Sequence, residues 1–269
     1  MPLFPPLNPP VSGWSGQRVW ILGASSGIGA ETARLLGQRG ARLALSARRE
    51  AALADLRSGL PPAARQAAHV LPCDIADPAA VAAAARTLFE AWDGLDLVLV
   101  AAGVYDALRP QDLDAQTLPR VRHTLDTNLL GAYHVLAAVL PEFLRRGAGR
   151  LAFVSSVAGY NGLPRALAYA PSKAALNNLC EGLHLELRPL GIGVTRICPG
   201  FVATPMTAGL DVPMPALQTP AAAARAIVRG LEGGDFEIHF PRRFTYGLKV
   251  LQWLPRRLYF RLLRWAAPR

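Results

Sequence analysis

The stretch RVWILGASSGIGAETARLLGQRG, residues 18–40, opens on a run that is apolar from Val19 to Leu22, passes three glycines in seven positions, and continues with apolar residues at helical spacing. Strand, glycine-rich turn and helix in that order bring several backbone N–H groups and the positive end of a helix to one point. Such a point attracts phosphate. Glycines are required at 23, 27 and 29 because a side chain there would block the turn, the approach of the anion or the packing of helix on strand. A chain with 24 glycines meets the G-x-x-x-G-x-G spacing by chance often enough; its place between the first strand and the first helix gives it meaning. The turn is read as the seat of a dinucleotide pyrophosphate, with Ser25, Ser26 and Ile28 beside the glycines.

Outward from this turn, apolar runs of strand length (18–22, 42–47, 69–72, 95–101, 150–155, 194–198 and 236–239) alternate with helical patterns at about 27–38, 49–58, 78–92, 118–146, 169–188 and 220–232. Asp77 before Pro78 marks a capped helix start. The runs LDLVLVAA and RLAFVSS are apolar on consecutive residues, as strands covered on both faces are. The expectation is an α/β fold: a Rossmann-type, doubly wound parallel sheet of about seven strands with helices on both faces. Residues 1–16 read as a flexible Pro-rich arm, 17–241 as one domain and 242–269 as a basic amphipathic tail. Residues 200–219 read as a long loop without regular structure, the kind that carries function.

Composition narrows the class. Of the net charge of +10, eight cations without a single acid lie in 242–269, so the rest of the chain carries only +2. A groove reader of nucleic acid needs basic residues spread over the body, and none is expected here. Three scattered cysteines and five histidines without ligand spacing suggest neither a disulfide framework nor a metal site. The N-terminus lacks a basic n-region and its prolines break any apolar core, so it is not read as a signal peptide. No run of the body reaches membrane-spanning length.

Further motifs follow in order: CDI with Asp74 and Ile75, AAG with Ala102 and Gly103, TNLLG with Asn128, SSVAG with Ser156, YAPSK with Tyr169 and Lys173, and PGFVAT with Pro199, Gly200, Val202 and Thr204. Taken together with GxxxGxG, this ordered set over residues 18–240 resembles the short-chain dehydrogenase/reductase family. The resemblance implies that Asp74 contacts adenine, that Lys173 bonds the nicotinamide ribose, that Asn128 holds a water relaying protons to Lys173, and that helices 118–146 and 169–188 form a dimer or tetramer. Two positions depart from the family's pattern. Leu22 stands where Thr is common and Ala101 where Asn is common, removing two side-chain hydrogen bonds near the turn.

At the end of the second strand, where an acid would bond the adenosine ribose, the chain has Ala47 followed by Arg48 and Arg49. Arginine welcomes a 2′-phosphate, so NADP(H) is expected over NAD(H). Tyr169 and Lys173 lie four apart on one helix face. A tyrosine acting as acid or base needs a cation to draw down its pKa of about 10, and Lys173 is expected to do so. Ser156, at the C-terminal end of the fifth strand, is placed to orient a carbonyl and stabilise its oxyanion. The expected activity is NADPH-dependent reduction of a ketone or aldehyde, reversible as secondary alcohol oxidation. Alternatives are a catalytically silent NADP-binding scaffold, or an epimerase or dehydratase of the wider superfamily.

The lid GFVATPMTAGLDVPMPALQ offers Phe201, Met206, Leu210, Val212, Met214 and Leu217 and only one charge, Asp211, which favours an apolar substrate. Tyr160 and residues 104–106 are expected to line the opposite wall. In the tail, Thr245, Lys249 and Gln252 form a narrow strip on one helix, and Arg257, Arg261 and Arg264 on a second after Pro255, each with a wide apolar arc. Two helices of this length are too short to span a bilayer. They are expected to lie on an anionic membrane surface, or to bury their arcs in a partner subunit or against the substrate cleft. The expected location is cytoplasmic, peripheral to the inner face of a membrane.

Overall fold

A computed structural model describes residues 5–209 and 213–266, without the side chains of 264–266. The lid residues Leu210, Asp211 and Val212, the Arg264 side chain, Arg269 and the first four residues of the arm therefore lie outside the described part. The fold is a seven-stranded sheet in the order β3-β2-β1-β4-β5-β6-β7, parallel throughout. Its strands are β1 (Arg18–Leu22), β2 (Arg42–Ser46), β3 (His69–Val70), β4 (Leu97–Val100), β5 (Gly149–Val154), β6 (Ile192–Pro199) and β7 (Glu237–Phe240). The chain winds outward from β1 to β3, crosses back to β4 and winds the other way. The switch point therefore lies between β1 and β4, where open parallel sheets bind ligands at their C-terminal ends.

The uninterrupted apolar runs follow from this layering. Val19 and Ile21 of β1 and Leu97 and Leu99 of β4 pack on one face with α1 (Gly27–Gln38) and α8 (Pro220–Gly233). Trp20, Leu22, Val98 and Val100 pack on the other with α4 (Pro78–Trp92), α6 (Gly131–Arg146) and α7 (Tyr169–Leu187). Asp77 caps α4 by accepting from the N–H groups of Ala79 and Ala80 at 2.9 and 3.2 Å. The remaining helices are α2 (Glu50–Ser58), a short α3 (Pro62–Ala67), α5 (Leu118–Leu125), α9 (Arg242–Gln252) and α10 (Arg256–Ala266). Among the described residues no helix is long and apolar enough to cross a membrane.

Two expectations need correction, and one helix is added. The helix 118–146 is divided: Asp126–Leu130 form a wide π turn between α5 and α6, and Thr127 and Asn128 are buried on it. Such turns re-aim side chains at functional sites. Residues 62–67, for which the sequence patterns give no element, form α3, started by Pro62 at its first position. The arm is tied down from Asn8 onward. The N–H and C=O of Val194 face the side on which β7 has not yet begun, and the Asn8 carboxamide takes both, at 3.0 and 2.7 Å. Trp14 is buried and donates to Glu232 at 2.8 Å.

Candidate active site

A cleft of about 410 Å³ opens over the C-terminal ends of β1, β2, β4, β5 and β6. One end is the glycine turn, where Gly23, Ser25, Ser26, Gly27, Ile28 and Gly29 all line it. A Cβ on Gly23 would sit 2.4 Å from the Ala102 nitrogen, and one on Gly29 2.3 Å from the Gly23 oxygen. Chain packing alone therefore excludes side chains at both positions. Gly27 has a left-handed φ of +57° and faces the Thr204 methyl across the cleft. No side chain caps α1 and its first turn has no acid, so its N–H groups remain on offer to an anion. With bare backbone at the turn and unneutralised cations beside it, the residues present fit a dinucleotide.

Arg48 and Arg49 are exposed at this end, and Arg49 donates to Ser25 Oγ at 3.3 Å. Asp74 and Ile75 follow β3 and border the cleft, Asp74 accepting from the Ala76 N–H at 3.0 Å. Ala102 and Gly103 form the floor. Pro199, Gly200, Val202 and Thr204 form the wall below the lid, which is closed at its base by paired backbone bonds between Phe201, Ala203 and Gln218. At the two positions that depart from the family's pattern the backbone ladder of β1 and β4 continues: the Ala101 N–H donates to the Leu22 oxygen at 2.8 Å, and Leu22 itself is core.

The other end collects the polar residues. Ser156, next after the β5 extension, bonds the Tyr169 side chain and accepts from the Ala158 N–H at 3.0 Å. Tyr105 stands edge-on to Tyr169, with ring centroids 5.1 Å apart. Lys173, buried one helical turn after Tyr169, donates to the Val154 carbonyl at 2.9 Å. Asn128 lies one layer behind the cleft surface. Its amide donates to the Val104 carbonyl at 2.9 Å and Ser172 Oγ at 3.1 Å, and its oxygen accepts from the Val104 N–H at 2.8 Å. The carboxamide thus clamps the strand β4 extension to α7, which fixes Gly103 between Asn128 and Lys173.

Burial raises the Tyr169 pKa above its ordinary value, and the Ser156 bond offsets this only in part. Burial likewise pushes the Lys173 pKa down, to about 8. The expected depression of Tyr169 by Lys173 is not found, because the ammonium is committed to Val154 and sits 5.8 Å from the tyrosine ring centroid. A second correction concerns Tyr160. Its hydroxyl donates to Glu237 at 2.6 Å and it faces a polar pocket under α9, away from the cleft. Of residues 104–106 only Val104 lines the cleft, while Asp106 pairs with Arg120.

Thr127 also borders the cleft, with its hydroxyl buried and without a hydrogen-bond partner. Its neighbour in the TNLLG motif draws attention first, and only the π turn shows which of the two residues reaches the surface. Pro205 and Thr207, also on the wall, carry no sequence signal beyond the lid's position.

The profile of the short chain dehydrogenase family matches residues 17–213. An uncharacterised oxidoreductase of Myxococcus xanthus is 37% identical over 241 residues, covering 89% of this chain and 93% of the relative. One from Mycobacterium tuberculosis is 36% identical over 202 residues, 74% of this chain and 78% of its own. Among solved structures, a short-chain dehydrogenase from Sphingobium yanoikuyae in complex with NADPH superposes with a TM-score of 0.75 at 29% identity, covering 84% of this chain and 88% of that one. The actinorhodin polyketide ketoreductase with NADPH gives 0.73 at 25%, covering 86% and 97%. Glycine turn, parallel sheet and the Ser156, Tyr169 and Lys173 wall agree with these matches: the chain belongs to the short chain dehydrogenase family of oxidoreductases.

Proposed function

We propose that the protein is an NADPH-dependent carbonyl reductase acting on an apolar ketone or aldehyde, reversible as a secondary alcohol dehydrogenase. The observation that carries this reading is the convergence of Ser156, Tyr169 and Lys173 on the wall opposite an uncapped glycine turn. The NADPH held by the two structural relatives supports the coenzyme. Backbone at 25–29 would hold its pyrophosphate, Arg48 and Arg49 its 2′-phosphate, Asp74 its adenine and Lys173 a ribose. When bound, the coenzyme supplies the hydride.

Ser156 would donate a hydrogen bond to the substrate carbonyl oxygen and so aim its carbon. Tyr169 would pass its hydroxyl proton to that oxygen as negative charge develops there. Its raised pKa keeps the proton in place at neutral pH, which suits the reducing direction. Lys173 would stabilise the phenolate that remains only by turning its ammonium from the Val154 carbonyl toward it. Asn128 positions Val104 and α7 and would hold a water that relays protons to Lys173. Met206 in the lid, partly exposed above the cleft, gives the substrate an adaptable apolar cover. Exposed Leu130 and Tyr133 at α6 and Leu185 on α7 support a homo-oligomer through these helices.

NADPH oxidation measured against ketones and aldehydes of graded chain length tests the reading, with turnover expected to rise with apolar length. Tyr169→Phe is expected to lower kcat by about two orders of magnitude or more while NADPH binding is unchanged. Equal turnover in the variant overturns the mechanism. Tight NADPH binding with no carbonyl consumed returns the protein to the scaffold reading.

A further inference from the structure

The tail packs the opposite way from an ordinary surface helix. The polar strip of α9 is turned toward the body. Thr245 is fully buried, with its hydroxyl 2.6 Å from His239 Nδ1. Lys249 pairs with Glu237, and Gln252 donates to the Tyr160 carbonyl at 2.6 Å. The opposite arc faces out: Tyr246 is 52% exposed, Val250 61% and Trp253 89%, spaced so that they share one stripe. On α10, Leu258 and Leu262 are exposed on one flank and Phe260 on the other, with Arg257 and Arg261 between them. Arg242, Arg243, Arg256, Arg257 and Arg261 are exposed as well.

We propose that the outward faces of α9 and α10 form a docking surface for an anionic lipid bilayer. Residues 242–269 hold eight cations and no acid. A second copy of this chain seated on the same surface would bring arginine clusters together with nothing in the tail to neutralise them, which disfavours a symmetric interface. A bilayer with acidic headgroups supplies both needs at once. Guanidinium groups meet phosphate, while Trp253, Tyr246 and Phe260 enter the headgroup and upper acyl region, where aromatic residues with one polar edge are favoured.

The surface is joined to the substrate end of the cleft. Phe244, on the inner side of α9, lies 3.1 Å from where a Cβ on Gly200 would stand, and its ring centroid is 6.3 Å from that of Phe201 at the lid base. The Asn161 amide, in the loop after Ser156, donates to the Leu248 carbonyl at 3.3 Å. Helix α9 therefore bridges the two loops that frame the substrate end, and docking would turn that end toward the lipid. This step, that an apolar carbonyl enters from the bilayer, rests on the function proposed above; the docking itself does not.

Flotation of the full chain with vesicles of phosphatidylcholine, with and without phosphatidylglycerol, tests the proposal. Wild type is expected to float with the mixed vesicles and to remain largely behind with phosphatidylcholine alone. Val250→Ser with Trp253→Ser is expected to lower the bound fraction roughly tenfold or more, and replacing Arg242, Arg243, Arg256 and Arg257 by Gln to abolish the dependence on phosphatidylglycerol. The replaced side chains are exposed, Arg256 alone also stacking on the buried Tyr259 ring, so turnover of a water-soluble carbonyl should stay at the wild-type value in both variants and melting temperature in the first. Wild type that does not float, variants that float as well as it does, or a concentration-dependent dimer lost on Trp253→Ser each overturn the proposal. Flotation by a protein that reduces no carbonyl overturns the enzymatic reading and leaves the docking surface standing.

Discussion

Lys173 shows how a single residue spends stability on chemistry. Its side chain is buried, one bond from Nζ reaches Val154, and its pKa falls from 10.5 to about 8. In that window the unfolded chain holds a proton that the folded chain has released, so stability rises with pH between the two values and the buried ammonium costs most below pH 8. At about 1.4 kcal/mol per unit, the cost is on the order of 3 kcal/mol. Urea unfolding of the coenzyme-free protein across this range should give a rising curve for wild type and a flatter one for Lys173→Met. Parallel curves would contradict the origin of the shift. Tyr169, Lys173 and Ser156 were legible as types at family spacing, but their electrostatics were not. Spacing places Lys173 beside Tyr169 on α7, whereas the Val154 carbonyl that competes for its ammonium lies on β5. Tyr160 misled for a similar reason, since its partner Glu237 is 77 residues away in sequence.

Among the elements, the sheet and most helices could be read because their signals are local: apolar runs of strand length, Asp77 with Pro78, and Thr219 with Pro220 at the start of α8. The π turn at 126–130 could not, because the apolar rhythm on either side continues and its one-residue offset is absorbed within a single turn. The arm escaped for a different physical reason. A sequence such as Asn8-Pro9-Pro10 looks like linker until β6 is seen to overrun β7 and leave Val194 without ladder partners. Asn8 then serves as one residue of a missing strand. Asn8→Ala should strand the N–H and C=O of Val194 in a buried place, with a loss of about 2–4 kcal/mol. Chemical denaturation measures it, and a change under about 0.5 kcal/mol would mean that water or a shifted arm replaces the carboxamide.

At the scale of the whole molecule, Glu237 joins the sheet to the tail. It sits on β7, largely buried, accepts from Tyr160 and pairs with Arg196 and Lys249, while Arg196 also pairs with Glu181. Burial acts to raise its pKa, yet hydrogen bonds from Lys249 and Tyr160 and the charge of Arg196 outweigh it and hold the carboxyl below its ordinary 4.5. A depressed carboxyl gives stability that is present above its unfolded pKa and lost as pH falls through the folded one. The contribution of Glu237 to the attachment of α9 should therefore be constant from neutral pH down to about 4.5 and weaken below it, whereas His239, which bonds Thr245 and whose pKa burial and Lys249 lower, weakens the attachment as pH falls below its ordinary 6.5. Glu237→Gln at neutral pH removes the charge while keeping nearly the same shape, leaving Arg196 and Lys249 with reduced compensation inside the protein. Amide exchange of residues 242–252 should then quicken by roughly ten- to a hundredfold, with residues 160–161 following because Gln252 and Asn161 tie them to α9. Exchange in β1 and β4 should not change, since neither strand contacts this cluster. Acceleration spread evenly over the sheet would mean that Glu237 serves the global fold, and that the tail is not a separately released element poised over the substrate end.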